Sequence, residues 1–175
     1  MPMTTVELSE RYKAGERNFA GIELRIIELE DGTRRLCDLI SLSDIILSGV
    51  NLSNQNLSLM NLQGSQLVGT QLWRTSLREA DLSGADLTGA NLTNAFLPRT
   101  NLRGAKLIGA NLTGAQLIEA DLTGADLSES ILCQVSLSKI KLDEECHRQV
   151  LCTKALLWQT YLPDGTFIGN ARYHD

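Results

Sequence analysis

The chain has 175 residues, of which 43% are hydrophobic and only 5% aromatic, and its formal net charge is −5. This length predicts one elongated domain rather than two globular ones. The N-terminus lacks the charged-then-apolar pattern of a signal peptide, and no apolar run approaches the length of a bilayer span, so we expect a cytoplasmic protein without a membrane partner.

The first predicted element is a short helix over residues 4–14. Thr4 and Glu7 have the spacing of a capping box, and Gly15 is a natural helix stop. We expect residues 1–15 to cap the lower end of the structure that follows. A stack of repeats would otherwise expose core leucines and unpaired backbone there.

A repeat-like segment begins at Phe19, with leucines five and ten residues later. The interval from Leu29 to Leu42, where the later register starts, is 13 residues and therefore not a multiple of five. The intervening residues 28–37 contain Asp31-Gly32, a dipeptide typical of hairpin tips. We interpret this segment as a β-hairpin excursion from the repeats.

From Leu42 to Leu142 a leucine stands at every fifth position without a miss. An α-helix has a period of about 3.6 residues and a lone strand a period of about two, so neither explains the interval. A fixed short repeat indicates that one local turn is made again and again, and that the units stack.

Each unit combines an inward-facing extended piece with a corner. A small residue two positions before the leucine shares its inward direction, and the intervening Asp or Asn faces solvent. A Ser or Thr and often a Gly follow, and both suit a turn. The unit reads Ala-Asp-Leu-Ser-Gly at 80–84 and Ala-Asn-Leu-Thr-Gly at 110–114.

This unit resembles the motif of the pentapeptide-repeat family, which is abundant in cyanobacteria, over at least residues 40–142. The resemblance implies an all-β solenoid, a right-handed quadrilateral β-helix with four pentapeptides and thus twenty residues per coil. We expect the β-helix to span residues 16–142. Stacking at this interval places the amide of Gln55 inside, where Thr75, one coil up, is its expected partner.

The repeat pattern stops after Leu142. Asp143 can cap a helix, and the segments on either side of Pro163-Asp164-Gly165 are predicted to form a hairpin. Residues 143–175 would then cap the upper end with a helix and a hairpin.

The chemistry-bearing residues do not indicate an enzyme. The Asp pairs recur because the motif recurs, and they lie on flat outer faces rather than in the asymmetric environments of an active site. Cys146-His147 and Cys152 do not supply the four ligands of a structural zinc site. We predict no catalytic residue, no metal ligand and no cofactor. The four cysteines favour reduced and mostly buried thiols, with a functional pair as the alternative; they are Cys37, Cys133, Cys146 and Cys152.

Five residues form a candidate partner-binding patch, and four of them are apolar departures from the polar outer pattern. Trp73 stands where Ser or Thr is usual, Phe96 replaces Asp or Asn, and Pro98 follows the next leucine. With twenty-residue coils, Phe96, Pro98 and Ile118 share one face, with Arg99 beside them. Exposed aromatic residues beside arginines are typical of a binding hot spot. The alternative is that one or more is covered by the terminal caps or is a tolerated exposed apolar residue.

The first functional hypothesis is a rigid scaffold that presents a flat β-helix face to an unidentified protein partner, with self-association through an end or an apolar face also open. The alternative is a DNA-mimicking gyrase modulator, as some members of the family are thought to be. Residues 40–142 contain eight acids and seven bases. This near-balance disfavours both mimicry of DNA and binding of nucleic acid.

Overall fold

The computed structural model describes residues 3–25, 41–137, 139–141, 155–161 and 166–173. The hairpin predicted at 28–37, the helix predicted from Asp143 and the turn predicted at Pro163-Asp164-Gly165 lie outside these residues.

The fold opens with one helix, α1 (Thr5–Lys13). The predicted N-terminal capping residue of this helix is confirmed, because the hydroxyl of Thr4 accepts a hydrogen bond of 3.1 Å from the backbone N–H of Glu7. Leu8 and Tyr12 lie one turn apart on the same side of the helix and are both buried in the main hydrophobic cluster. The helix is therefore packed against the coils by its apolar face.

The strands outside the regular repeats are short. They are β1 (Met3–Thr4), β2 (Leu24–Arg25), β3 (Ile131–Cys133), β4 (Leu156–Trp158), β5 (Thr160–Tyr161), β6 (Phe167–Ile168) and β7 (Arg172–Tyr173). β1 pairs in parallel with β2, and β5 pairs antiparallel with β6. β3, β4 and β7 form one sheet in that order, parallel between the first two and antiparallel between the last two.

Between residues 41 and 141 the extended pieces pair as isolated parallel bridges, each joining a residue to the one twenty positions later. Asp81 pairs with Asn101, for example, and Asn101 pairs with Asp121. The backbone N–H of Leu82 donates to the carbonyl of Asn101 at 2.8 Å. The extended pieces thus pair at an interval of twenty residues, which is the length of four pentapeptides.

The coil has four faces, which we name after one central leucine each. Proceeding round the coil, they are the Leu87 face (centred on Leu47, Leu67, Leu87, Leu107 and Leu127), the Leu92 face (Leu52, Leu72, Leu92, Leu112 and Leu132), the Leu97 face (Leu57, Leu77, Leu97, Leu117 and Leu137) and the Leu102 face (Leu42, Leu62, Leu82, Leu102 and Leu122). These central leucines are 0–1% exposed. The interior is therefore packed with leucine and, two positions earlier in most repeats, alanine or another small residue.

The register changes at both ends of the regular coils. Asn18 pairs with Ile46, 28 positions later and thus eight more than one coil. Phe19 is 1% exposed, as expected for the centre of a first repeat. At the other end, Ser136 pairs with Tyr161, 25 positions later. Parallel pairing onto the coils thus resumes after Leu142, where the sequence pattern led us to expect that it stops.

The partner expected for Gln55 is wrong. The hydroxyl of Thr75 instead donates to the carbonyl of Leu52 at 2.8 Å, because a buried carbonyl requires a donor and the threonine one coil up supplies it. The amide nitrogen of Gln55 donates to the carbonyl of Ser53 at 3.0 Å. Its buried amide oxygen has no hydrogen-bond partner within the described residues.

Candidate functional site

The Asp or Asn of the repeat has a structural task besides facing solvent. Its side-chain oxygen accepts a hydrogen bond from the backbone N–H two residues later, which closes the turn. Asp81 accepts from Ser83 at 2.9 Å, and Asn101 accepts from Arg103 at 3.2 Å. The same bond recurs at Asn51, Asn56, Asn61, Asp86, Asn91, Asn111, Asp121 and Asp126.

Where this Asp or Asn is missing between residues 61 and 133, the position after the leucine loses its usual Ser or Thr as well. Phe96 and Pro98 illustrate the linkage, since phenylalanine has no oxygen to accept the turn hydrogen bond and proline has no N–H to donate it. The pairs Gln71 with Trp73 and Gln116 with Ile118 follow the same rule. Large side chains therefore lie at the surface in those repeats that have no Asp or Asn side chain to close the turn.

The Leu97 face carries a shallow depression of about 210 Å³. Four of the five residues predicted for a binding patch line it together with two charged neighbours; the lining is Arg78, Phe96, Pro98, Arg99, Ile118 and Glu119. Phe96 is 38% exposed and Ile118 is 49% exposed. An apolar floor is thus open to solvent and bordered by charged side chains.

Trp73 does not line this depression. It belongs to the adjoining Leu92 face, is 37% exposed, and lies 5.8 Å from the guanidinium carbon of Arg74. This distance is within the range of a cation–π contact. The structure places Trp73 at the neighbouring corner, beside the predicted patch and outside its lining.

The charged border is a ladder of ion pairs. Arg99 donates to Glu119 at 2.8 Å and lies 3.8 Å from Glu79, which also accepts from Arg78 at 3.1 Å. The hydrogen bond and charge of Arg99 hold the pKa of Glu119 below its usual range, and two lysines one coil further on act in the same direction. The Glu119 carboxylate is therefore an ionised partner of Arg99.

The corner that carries this ladder has no glycine. Its stacked residues have φ between +56° and +65°; they are Leu59, Glu79, Arg99, Glu119 and Lys139. At the matching corner of the Leu102 face, four of the five stacked residues are glycine at similar angles. The left-handed conformation costs a residue with a Cβ atom about 1–2 kcal/mol. The corner of the Leu97 face therefore carries this conformational cost, and its residues include long charged side chains beside the depression.

The sequence-based reasoning placed Phe96, Pro98, Arg99 and Ile118 together, but it did not include Glu119 or the ion-pair ladder. The signal was available in the register. Arg99 and Glu119 are twenty residues apart, at a position that is glycine in most repeats of the adjoining Leu102 face and of the opposite Leu87 face. Opposite charges at stacked positions of this kind are close enough to pair.

Two of the repeated carboxylates have a pKa shifted in the same direction. Burial raises the pKa of Asp86, but hydrogen bonds from Thr88 and the charge of Lys106 outweigh it and leave the pKa below the usual value. Asp121 is shifted in the same direction by Thr123 and Arg103. Two carboxylates shifted alike do not divide into an acid and a base.

The described residues also give little support for a metal site or a reactive thiol. Within the described ranges, no group of three or more His, Cys, Asp or Glu residues is arranged to hold a metal ion. Cys133 is a buried free thiol, and burial raises its pKa despite a hydrogen bond with Thr113. The other three cysteines lie outside the described residues. None of the helices that the structure describes is long and apolar enough to cross a membrane.

The chain belongs to the pentapeptide-repeat family. The family model of pentapeptide repeats (8 copies) matches five overlapping stretches that together cover residues 45–144, which is more than half of the chain. The β-helix solenoid with a five-residue unit is thus supported independently by sequence and by backbone pairing. No curated protein sequence matches significantly.

Solved structures of the same family are similar to this chain. A pentapeptide repeat protein from the thylakoid lumen of Arabidopsis thaliana is 26% identical with a TM-score of 0.59, covering 76% of this chain and 85% of its own. The pentapeptide repeat protein Rfr23 from the cyanobacterium Cyanothece is 36% identical, with a TM-score of 0.31 and coverage of 57% and 61%. A protein from the cyanobacterium Nostoc is 24% identical, with a TM-score of 0.47 and coverage of 90% and 99%.

Proposed function

We propose that the protein is a non-enzymatic, cytoplasmic scaffold that binds a protein partner through the Leu97 face. The proposal includes a right-handed, quadrilateral β-helix capped by α1 below and by the C-terminal segment above. The observation that carries it is the open apolar depression of Phe96, Pro98 and Ile118, bordered by the paired charges of Arg99 and Glu119. Such a patch on a rigid support is typical of an interaction site.

The filled interior supports binding by an outer wall. The central leucines from Leu42 to Leu137 are 0–1% exposed, so the described coils leave no room for a substrate between them. Catalysis would need a pocket with groups of contrasting pKa, and the pKa values of Asp86, Glu119 and Asp121 are all lowered.

Imitation of DNA has weaker support. A duplex mimic needs dense negative charge along one side. On the Leu97 face arginines and glutamates alternate instead, and their opposite charges pair at distances of 2.8–3.8 Å. The same alternation disfavours direct binding of nucleic acid.

The test is a pair of double variants in affinity capture from the source cell, with the full chain as bait. Phe96→Asp with Ile118→Asp places two charges in the depression, and we expect loss of the captured partner. Val68→Asp with Ile108→Asp is the matched control, because both residues follow a leucine without an Asp or Asn before it, on the Leu87 face. Circular dichroism establishes that all proteins are folded.

The outcome that overturns the proposal is equal capture of the same partner by the wild type and by the Phe96→Asp, Ile118→Asp variant. Loss of the partner from the control variant alone would move the interaction to the Leu87 face.

A further inference from the structure

The twenty-residue register separates charges that are mixed along the sequence. Within residues 41–141, the adjacent Leu92 and Leu97 faces together carry four bases against two acids; these are Arg74, Arg78, Arg99 and Lys139 against Glu79 and Glu119. The Leu102 and Leu87 faces carry three bases against six acids; these are Arg103, Lys106 and Lys141 against Asp44, Asp81, Asp86, Asp121, Asp126 and Glu129. The near-neutral repeat region is thus divided lengthwise into a basic half and an acidic half.

The large exposed apolar side chains are concentrated on the basic half. Leu59 is 69% exposed, Ile118 49%, Phe96 38% and Trp73 37%, whereas the acidic half exposes Val68 at 41%. Apolar contact area and positive charge therefore occupy the same two faces of a chain whose net charge is −5.

Of the two arginines that line the depression, Arg78 pairs with fewer carboxylates than Arg99 does. Arg99 lies against two carboxylates, those of Glu79 and Glu119, whereas Arg78 shares Glu79 with it through its Nε atom at 3.1 Å. The side chain of Arg78 remains 56% exposed. A carboxylate from outside would pair with Arg78 without displacing the Arg99–Glu119 hydrogen bond.

We propose that the partner of the Leu97 face is an acidic protein segment, which seats an apolar side chain on Phe96, Pro98 and Ile118 and directs a carboxylate at Arg78. This inference rests on the proposed function and adds the chemistry of the partner. Apolar burial supplies the attraction, and the positive half selects and orients an acidic segment. A nucleic acid fits this face less well, because it carries a phosphate at every nucleotide and the arginines of the depression are already shared with Glu79 and Glu119.

The experiment selects binders of the full chain from a random dodecapeptide library and measures their affinity at low and high sodium chloride. We expect enriched peptides with net negative charge around a central apolar residue, and weaker binding at high salt. Arg78→Glu should weaken them by about tenfold or more, as expected for reversing one well-placed charge. Labelled oligothymidine is tested alongside.

Arg103→Glu is the matched control. Arg103 follows a leucine as Arg78 does, its side chain is also 56% exposed, and it pairs with one acid at 3.5 Å, but it lies on the Leu102 face. We expect it to leave peptide affinity within about twofold of the wild type, because Arg103 does not line the depression.

The outcomes separate the two proposals. Neutral or basic peptides whose binding is lost in Phe96→Asp with Ile118→Asp would overturn the acidic partner and leave the interaction face standing. Failure to select any peptide sensitive to that double variant, or binding of oligothymidine in place of peptides, would overturn both.

Discussion

The Leu97 and Leu102 faces are each built over a column of buried leucines, but they differ in most of their outward-facing residues. On the Leu102 face, Asp or Asn side chains close four successive turns, at Asn61, Asp81, Asn101 and Asp121. Glycines occupy most of its left-handed corner positions. On the Leu97 face Asn56 closes its turn in this way, but Phe96 and Gln116 replace the Asp or Asn in later repeats, and the left-handed corner has no glycine.

This difference shows that the coil is specified from the inside. Leu97 and Leu102 are both 0% exposed, and both faces keep the twenty-residue pairing. The outer positions therefore vary without loss of register, since an N–H left open at the surface is satisfied by water. A face that abandons the consensus is free to carry a binding surface.

The largest expected effect tests whether the two faces share one core. Leu97→Ala and Leu102→Ala should each lower the free energy of unfolding by about 2–5 kcal/mol, because both remove a fully buried side chain and leave a cavity. Urea unfolding followed by circular dichroism measures this loss. A far smaller loss at Leu97 would show that the depression above it loosens the packing.

The next effect concerns buried hydroxyls. Within the described residues the carbonyl of Leu52 accepts from Thr75 alone, whereas that of Leu77 accepts from Thr100 at 2.8 Å and from Ala80 at 3.0 Å. Thr75→Val should therefore cost about 1–3 kcal/mol, and Thr100→Val about 1 kcal/mol.

The control for this pair is Ser65→Ala. The Ser65 hydroxyl is buried without a hydrogen-bond partner among the described residues. Its removal should be neutral or stabilising in the same urea titration. Equal losses for Thr75→Val and Thr100→Val would contradict the assignment of a second donor to Leu77.

A smaller effect tests the corners. Gly104 has φ +64° and open space around the place of a Cβ atom, so Gly104→Ala should cost about 1 kcal/mol through backbone conformation alone. Leu59 has φ +65° and is 69% exposed, so Leu59→Gly should be neutral or stabilising by about 0.5 kcal/mol, since relief of strain is partly offset by the freer unfolded chain. A clear destabilisation by Leu59→Gly in thermal melts would show that Leu59 makes packing contacts.

The smallest effect is the pH dependence of the ladder. Because the folded pKa of Glu119 lies below its ordinary value of 4.5, its stabilisation is present above that value and is lost as the pH falls through the folded pKa. Arg99→Gln should reduce this loss and move the Glu119 carboxyl pKa back towards the ordinary value in an NMR titration. Arg74→Gln, which removes a charge at the next corner, should leave that titration nearly unchanged.

Several features of the fold were predictable from local spacing. The leucine ladder predicted stacked units, and the Thr4–Glu7 spacing predicted the helix cap. The shared face of Phe96 and Ile118 followed once twenty residues per coil were assumed from the family resemblance. Each of these depends on residues whose relation is a fixed interval, which a periodic backbone preserves.

Other features depend on side-chain direction and could not be read from intervals. Thr75 was assigned to Gln55, but its short side chain donates to the carbonyl of Leu52. The return of parallel pairing at Leu156 follows a register of 25 residues, which breaks the interval of the preceding coils.

The sequence by itself determined the repeating unit, its inward and outward positions and the places where the outer pattern fails. In a five-residue repeat with one leucine, burial of the leucine sets which positions face inward and which face outward. Composition and period are therefore enough to predict the unit. Only the tertiary structure decided which outer residues face the same way. Stacking at twenty residues gathers Arg78, Arg99 and Phe96 onto one wall and leaves most acids on the other, because distances between coils depend on register and not on separation along the chain.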